Sequence, residues 1–222
     1  MKNINILFLL LISYSTACQK LPKGFVYLSK IDTTIQADLR YYTSNNFIGK
    51  PIDGYKKNCI IISRETAKAL KSVQKILLKK GLSLKIFDAY RPQQSVDHFV
   101  KWAKVLNDTL MKSQFYPNVA KKDLFKRGYI ASKSGHTRGS TVDLTIVDIK
   151  TRQELDMGSP YDFFGQQSHP FYKNITEEQK ANRMLLRKMM LKNSFKPYEN
   201  EWWHFTLNKE PYPETYFNFA VE

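Results

Sequence analysis

One of the chain's four histidines stands close to an aspartate in the segment SGHTRGSTVD, residues 134–143. Imidazole and carboxylate groups are the ligands of catalytic zinc sites, which use three protein ligands and keep one position open. His136 and Asp143 could supply two ligands, because Gly139 permits a turn between them and a following strand would hold Asp143 rigidly. The pair alone is weak evidence, since a histidine and an aspartate at this spacing more often form a structural pair.

A third ligand is available in the segment EWWHF, residues 201–205. His204 could complete the zinc site, and Glu201 could act as the general base that takes a proton from the attacking water. In a regular strand, residues 201 and 204 point to opposite faces of the sheet. We therefore predict that Glu201 lies in a bend or loop just before the strand that carries His204.

A positive charge for the reaction is available in FDAYRP, residues 87–92, where Arg91 follows the end of a predicted strand. An arginine at this place can stabilise the oxyanion that forms when hydroxide attacks a carbonyl group. Alone, it would be read as a surface arginine beside a helix. Together with two histidines, an aspartate and a glutamate, it completes the set of groups that zinc-assisted hydrolysis requires.

Hydrophobic periodicity predicts the helices that would support this site. One helix is capped by Ser63 and runs to about Lys80, where Gly81 ends it. A second follows the Arg91-Pro92 pair and is marked by apolar residues from Val96 to Leu106. A third covers about 177–193 behind a capping box of the Thr-x-x-Gln kind.

Strands are predicted at 82–90, 142–149 and 203–207, after an extended segment that ends near Tyr41. Strands and helices mix without regular βαβ repetition, and no linker divides the chain. The prediction is a single α+β domain in which helices pack on an antiparallel-rich sheet.

The first 18 residues, MKNINILFLLLISYSTAC, have the layout of a secretory signal. A lysine precedes a short apolar run, and small residues lead to Cys18. This pattern predicts an exported lipoprotein of the periplasm or cell envelope, attached to a membrane through lipidated Cys18, with residues 19–222 as the mature domain. Ordinary cleavage after Ala17 stays open as an alternative. Cys59, the second cysteine, lies in an apolar run and is predicted to be a small core residue.

The net charge is +15, from 35 Lys+Arg against 20 Asp+Glu. A basic chain can meet nucleic acid, an anionic membrane or an acidic polymer. Many of the lysines, however, recur at helical spacing on the solvated face of the helix after Ser63. No nucleic-acid-binding motif accompanies the charge, so we predict no nucleic-acid partner.

Two separated motifs resemble those of a known family. SGHTRGSTVD together with EWWH is similar to the pattern Ser-x-His-x-x-Gly-x-x-x-Asp followed by Glu-x-x-His of the zinc D-alanyl-D-alanine peptidases. Within that group, the chain most closely resembles the D-alanyl-D-alanine dipeptidases of the VanX type. The likeness extends from about Phe25 to Glu222 and includes FDAYRP, YPNV and DMGSPYDFF in the family order.

The resemblance implies one zinc ion per chain and roles for individual residues. Glu201 would be the base and then the proton donor, and Arg91 would stabilise the oxyanion. The implied zinc ligands are His136, Asp143 and His204.

The resemblance also implies residues that bind the two ends of a dipeptide. Ser134 would contact the substrate carboxylate, Asp162 would receive the substrate ammonium, and Tyr41 would help to close that end. Two positions depart from the family pattern: Gly135 stands where a second serine is common, and Thr141 where alanine is common. Thr141 shares a strand face with Asp143, so we expect altered packing near the metal rather than a different reaction.

The implied reaction is hydrolysis of D-alanyl-D-alanine to two molecules of D-alanine. One alternative is a D-alanyl-D-alanine carboxypeptidase that acts on peptidoglycan stem peptides and lacks an acidic group at the position of Asp162. Another is a non-catalytic zinc-binding module of the cell wall, which would need neither Glu201 nor Arg91. The sequence does not determine the oligomeric state, the physiological role or the metal used in the cell.

Overall fold

The computed structural model describes residues 20–222, so the predicted leader and Cys18 lie outside the described residues. The described chain forms seven strands. In chain order they are β1 (Phe25–Tyr27), β2 (Gln36–Ala37), β3 (Ile61–Ser63), β4 (Leu82–Asp88), β5 (Thr141–Asp148), β6 (Phe195–Tyr198) and β7 (Glu201–Leu207).

Five strands form the main sheet in the order β2-β4-β5-β7-β6, and β1 pairs with β3 in a separate two-stranded sheet. Within the main sheet, β4 with β5, β5 with β7 and β6 with β7 are antiparallel, whereas β2 is parallel to β4. The antiparallel-rich sheet is therefore confirmed. The extended segment predicted up to Tyr41 is instead broken into two short strands separated by a 3₁₀ turn.

Within the described part of the chain, four α-helices accompany the sheet: α1 (Arg64–Leu78), α2 (Gln93–Lys104), α3 (Lys112–Phe115) and α4 (Glu177–Lys192). Both predicted caps are present. Ser63 Oγ accepts the backbone N–H of Thr66 at the start of α1, and a capping box precedes α4. α1 packs against β4, and α4 packs against β6 and β7. No helix within residues 20–222 is long and apolar enough to cross a membrane.

Two further sequence expectations differ from the structure. α2 ends at Lys104, so Leu106 lies beyond the helix and is exposed. The edge strand β6 was not predicted, because Pro197 lies within it and proline disfavours strand assignment. Proline is tolerated on an edge strand, because a backbone N–H that faces away from the neighbouring strand forms no hydrogen bond of the ladder.

The central strand β5 is buried along all but its last residue, because both faces of the sheet are covered. Its Val142, Leu144 and Ile146 belong to the main hydrophobic cluster, and Cys59 is partly buried against the same cluster, as expected for a small core residue. The strand that carries Asp143 is thus held on both sides, which is the rigidity that a metal site requires.

A tight turn leads into β5 at Gly139, which adopts a left-handed φ of 76°. A Cβ atom at this position would overlap the ring of Phe25. The turn that brings His136 back toward Asp143 therefore requires glycine for its backbone conformation and for space.

We predict that Gly139→Ala destabilises the protein more than Gly81→Ala. Both glycines have positive φ, but a Cβ at Gly81 would meet nothing within 4 Å. Gly81→Ala should lower the free energy of unfolding by about 1 kcal/mol, the cost of the left-handed conformation. Gly139→Ala should lower it by about 1–3 kcal/mol more because of overpacking. Urea denaturation of both variants measures this, and equal losses would contradict the steric argument.

Candidate active site

Three acidic or imidazole side chains lie in a row across the middle of the sheet. Asp143 on β5 is paired with Asp88 on β4 on one side and with His204 on β7 on the other. Directly paired residues point to the same face of a sheet. The register of three strands therefore brings these three side chains together, although they are separated widely in the sequence.

His136 reaches the same place from the 3₁₀ turn Gly135–Arg138, just before β5. Ser134 Oγ accepts the backbone N–H of His136 at 3.3 Å and so caps this turn. His136 Nδ1 lies 2.8 Å from the carbonyl oxygen of Ala89. A carbonyl only accepts, so Nδ1 carries the hydrogen, and the lone pair of Nε2 faces the other ligands.

The donor atoms of the predicted ligands converge on one point. His136 Nε2 lies 3.3 Å from His204 Nδ1 and 3.2 Å from Asp143 Oδ2, and His204 Nδ1 lies 3.0 Å from Asp143 Oδ1. Asp143 Oδ1 is nevertheless buried without a hydrogen-bond partner among the described residues. Zinc with ligands at about 2.0 Å in a tetrahedron has ligand–ligand edges of about 3.3 Å. The three residues therefore fit a zinc ion with one open position.

The Asp143 carboxylate is kept ionised, as a metal ligand must be. Its burial would raise its pKa, but the adjacent His136 and His204 lower the pKa well below the ordinary value. Tyr161 Oη also donates a hydrogen bond to Asp143 Oδ2 at 3.1 Å. Tyr161 was not identified from the sequence, because a tyrosine in a loop carries no spacing signal that relates it to β5.

Glu201 is the first residue of β7, so the prediction that it lies in a bend before the strand is wrong about its location. The expected change of face is still present. The pairing of β6 with β7 shifts register between Pro197 and Tyr198, and Glu201 Oε2 lies 3.3 Å from His204 Nδ1. The irregular pairing lets both side chains of β7 reach the same cavity.

The pKa of Glu201 is raised to about 7, chiefly by burial and against the lowering effect of His204. A carboxyl group whose pKa lies near neutrality can both accept and return a proton at physiological pH. The charge of a bound dication would favour its ionised form, which is the form that accepts a proton.

Arg91 is held on two sides just after β4. Its Nε donates to Asp88 Oδ2 at 2.9 Å, and its guanidinium lies over the rings of Tyr41 and Phe99 at 5.0 and 5.2 Å. This packing fixes the plane of the guanidinium and leaves its remaining N–H groups for the cavity. Asp88 is completely buried, and the sequence pattern does not identify it as a site residue, although it stands in the quoted segment FDAYRP.

A second carboxylate, Asp162, faces the cavity without a cationic partner among residues 20–222. Tyr41 Oη donates to its Oδ2 at 2.8 Å, and no ion pair involves it. Burial, and then the charge of Asp143, raise the pKa of Asp162 well above its ordinary value. Its φ of 62° lies in the left-handed region, which only a few per cent of non-glycine residues adopt, and such conformations cluster at functional sites.

Two tyrosine hydroxyls connect this carboxylate to the metal ligands. Tyr161 Oη lies 3.2 Å from Tyr41 Oη, which donates to Asp162, and 3.1 Å from Asp143 Oδ2. The two hydroxyls are in contact, and because both tyrosine rings are almost completely buried, they hold the two carboxylates at a fixed separation. The distance from Asp162 to the metal ligands is thus set by the core.

One cavity of about 210 Å³ collects these groups. It brings together every site residue predicted from the sequence within the described part of the chain: Tyr41, Arg91, Ser134, His136, Asp143, Asp162, Glu201 and His204. Its wall also includes Tyr198, Lys133 and Tyr129, which sequence reasoning did not identify. Cys18, the predicted lipidation site, lies outside the described residues.

The turn that carries His136 is also held from the C-terminal segment. Arg138 donates from Nε and Nη2 to the two carboxylate oxygens of Glu210, both at 2.8 Å. The backbone N–H of Phe217 donates to the carbonyl oxygen of Thr137 at 3.0 Å. A bidentate pair and a backbone bond therefore flank His136 on its C-terminal side.

The two departures from the family pattern compensate for each other. A Cβ atom at Gly135 would lie 2.7 Å from Thr141 Oγ1, so the missing side chain leaves room for the threonine. Thr141 is completely buried and its Oγ1 lies 2.9 Å from Thr206 Oγ1 on β7. The threonine thus adds a hydrogen bond between the two strands that carry Asp143 and His204.

Known proteins match this chain along nearly all of its described length. A family model described as D-ala-D-ala dipeptidase matches residues 22–222. The D-alanyl-D-alanine dipeptidase of Enterococcus faecalis is 43% identical over 201 residues, which are 90% of this chain and 100% of that protein. Those of Enterococcus faecium and Streptomyces coelicolor are each 39% identical, covering 90% and 89% of this chain and 98% of each relative.

We predict that Gly135→Ser and Thr141→Ala are coupled. Gly135→Ser alone should destabilise the protein because the new Cβ meets Thr141 Oγ1, and Thr141→Ala alone because Thr206 loses its partner. The double variant should lose less stability than the two single losses together, by about 0.5–3 kcal/mol. Urea denaturation of the four proteins measures the coupling.

Gly135→Ser combined with Thr145→Ala is the matched control. Thr145 is a second buried threonine of β5, four residues further along the strand. Thr145 therefore lies about 13 Å from Thr141 along the strand, beyond the range at which substitutions usually couple. Additive losses are expected in the control pair, whereas additivity in the Gly135 and Thr141 pair would refute the steric relation.

Proposed function

The chain belongs to the D-ala-D-ala dipeptidase family, and from this premise we propose that it hydrolyses free D-alanyl-D-alanine to two D-alanines with the aid of zinc. One observation supports the dipeptide as substrate above all others. Asp162 is a buried carboxylate that forms no ion pair with any residue of 20–222, and it faces the same cavity as the three metal-ligand candidates. A free dipeptide carries the ammonium that this carboxylate lacks.

His136, Asp143 and His204 would hold the zinc ion. When bound, zinc polarises a carbonyl group and lowers the pKa of water to about 7. The hydrogen bond on the other ring nitrogen of His136 supports this role. Its Nδ1 is held by the Ala89 carbonyl, so Nε2 presents a lone pair to the metal position. Such contacts orient a ligand and fix its tautomer.

Asp162 and Ser134 would bind the two ends of the substrate. The substrate ammonium would pair with the Asp162 carboxylate in a buried site, where a charge-assisted hydrogen bond is strong. The hydroxyl of Ser134 accepts the His136 N–H and retains its own hydrogen, which it can donate to the substrate carboxylate. A peptide bond between these two ends would lie beside Glu201 and Arg91.

Glu201 would move the proton during hydrolysis. The oxygen of water attacks the peptide carbonyl carbon while Glu201 takes one of its protons, and the carbonyl oxygen becomes an oxyanion beside Arg91. The carbon–nitrogen bond then breaks, and the proton on Glu201 passes to the leaving nitrogen. Two D-alanine molecules result, and Glu201 returns to its ionised state.

The same residues weigh against the two alternatives predicted from the sequence. A carboxypeptidase acting on longer stem peptides must accommodate an acylated nitrogen, which is neutral and cannot pair with Asp162. A non-catalytic zinc module has no use for a base and an arginine in the cavity, and both Glu201 and Arg91 line it.

We predict that a protein beginning at Lys20 releases D-alanine from D-alanyl-D-alanine and not from its N-acetylated form. Removing zinc with a chelator should abolish the release, and adding zinc should restore it. Cleavage of the acetylated dipeptide would favour the carboxypeptidase instead. No cleavage of either substrate, with zinc bound, would favour the non-catalytic module.

Glu201→Gln should lower kcat by about 10²–10⁴-fold, because proton transfer contributes roughly this factor. The control is Glu199→Gln two residues earlier, whose carboxylate pairs with Arg187 at 3.0 Å outside the cavity and should leave kcat unchanged. Zinc content measured by atomic absorption should stay at one ion per chain in both variants.

Asp162→Asn should raise KM for the free dipeptide more than it lowers kcat.

We propose further that the protein is exported and attached to a membrane of the cell envelope through lipidated Cys18. The support is the sequence of residues 1–18 alone, with its apolar run and small residues before the cysteine. In that location the enzyme would hydrolyse dipeptide released from the cell wall, which makes recycling or nutrient use its proposed role.

Cys18→Ala should release the full-length protein from the membrane fraction of the cells that express it. Mass spectrometry of the wild-type mature protein should find a lipid-modified N-terminal cysteine. An unmodified N-terminus at Cys18 would show ordinary cleavage after Ala17 and would overturn the anchor, while the dipeptidase assay would be unaffected.

A further inference from the structure

The surface that follows α2 combines exposed aliphatic side chains in a short length of chain. We call residues 101–127 the α2–α3 surface. Val105, Leu106 and Leu110 are 50%, 58% and 65% exposed, and Phe125 is 41% exposed. Leu110 is the most exposed large hydrophobic side chain among the described residues. Large contiguous apolar patches on a surface, rimmed by polar residues, mark sites of interaction with proteins or membranes.

The chain that displays these side chains is held firmly from beneath. Lys121 is buried, and its Nζ donates to the carbonyl oxygens of Val105 and Asp108 at 2.7 and 2.5 Å while lying 4.0 Å from the centre of the Trp102 ring. Lys112 Nζ donates to the carbonyl oxygens of Tyr116 and Val119. Internal bonds therefore fix the backbone, and the aliphatic side chains are presented to solvent by a structured turn.

Basic side chains surround the aliphatic ones. The α2–α3 surface contains seven basic residues and two acidic ones, Asp108 and Asp123. Apart from buried Lys121 and half-buried Lys112, the basic residues are exposed: Lys101, Lys104, Lys122, Lys126 and Arg127. The partner that complements this surface offers anionic groups above a layer of hydrocarbon.

We propose that the α2–α3 surface docks on an anionic lipid bilayer. Leu106, Leu110 and Phe125 enter the boundary between headgroups and acyl chains, and the surrounding lysines contact lipid phosphates. This contact is a property of the folded domain and does not require a lipid on Cys18. It would hold the domain flat against the membrane rather than at the end of a tether.

Other partners suit the surface less well. A second copy of this chain would also carry a net charge of +15 and would bring lysines against lysines. An acidic polymer would satisfy the lysines but would give the exposed leucines no hydrocarbon to enter. A bilayer is the partner that accounts for both features.

The test uses the protein beginning at Lys20, so that the predicted leader does not contribute to binding. This part of the chain matches the whole length of the Enterococcus faecalis relative. The protein is sedimented with vesicles of phosphatidylcholine and with vesicles of phosphatidylcholine and phosphatidylglycerol. We expect binding to the anionic vesicles alone, weakened by salt. Absence of binding to the anionic vesicles would overturn the proposal.

Two variants separate the apolar and the charged contributions. Leu106→Ser with Leu110→Ser should lower the vesicle partition coefficient about tenfold or more. Lys101→Gln with Lys104→Gln, Lys122→Gln and Lys126→Gln should lower it by about fivefold per charge. The apolar control is Ile76→Ser with Leu191→Ser, exposed residues of α1 and α4 that should change binding little.

The outcomes distinguish the partners. If the lysine variant loses binding while the double serine variant keeps it, the surface attracts anions without entering a bilayer, and the proposal fails. If light scattering shows a dimer that the serine variant abolishes, the surface joins two copies, and the proposal also fails. Unchanged melting temperature and unchanged hydrolysis of soluble D-alanyl-D-alanine in all variants show that the fold and the site are intact.

Discussion

The structure depends on holding two imidazole lone pairs and a carboxylate within about 3 Å of one another. In the absence of a cation these groups repel or compete for protons, and the chain would separate them unless it were held rigidly. Three devices supply the rigidity. Asp143 and His204 lie on paired neighbouring strands, and His136 is held by its capped turn and by the Ala89 carbonyl.

The same constraint explains the buried polar groups around the site. Asp88 receives hydrogen bonds from Tyr55 and Arg91, and Tyr161 donates to Asp143. The contacts made by Arg91 and Tyr161 orient two groups of the cavity wall, Arg91 itself and Asp143. A buried polar network of this kind is stable only when nearly every member is satisfied, so the network fixes one geometry. Asp143 Oδ1 is one of the buried atoms without a hydrogen-bond partner among residues 20–222, and a metal ion would take it.

The separation between the metal ligands and Asp162 is built into the core rather than into a loop. Tyr41 and Tyr161 are almost completely buried, and their hydroxyls connect Asp162 to Asp143. Tyr161 also stacks on Phe87 with ring centres 4.7 Å apart. Large rings packed in this way cannot move without opening cavities. The separation between the metal-ligand candidates and Asp162 is therefore constant, and a constant separation would select a substrate of fixed length.

The sequence by itself determined much of the local structure and which residues gather in the cavity. Caps, glycines and periodicity predicted α1, α4, β4 and β5, because these signals act within a few residues. The spacing of His136, Asp143, Glu201 and His204, together with the family motifs, indicated a zinc peptidase. Tertiary structure decided the rest: which strands pair, how Asp88 supports Arg91, how a register shift turns Glu201 inward, and that Gly135 makes room for Thr141. These relations join residues far apart in the chain, and no local pattern encodes them, since they exist only once the strands have paired and the core has packed.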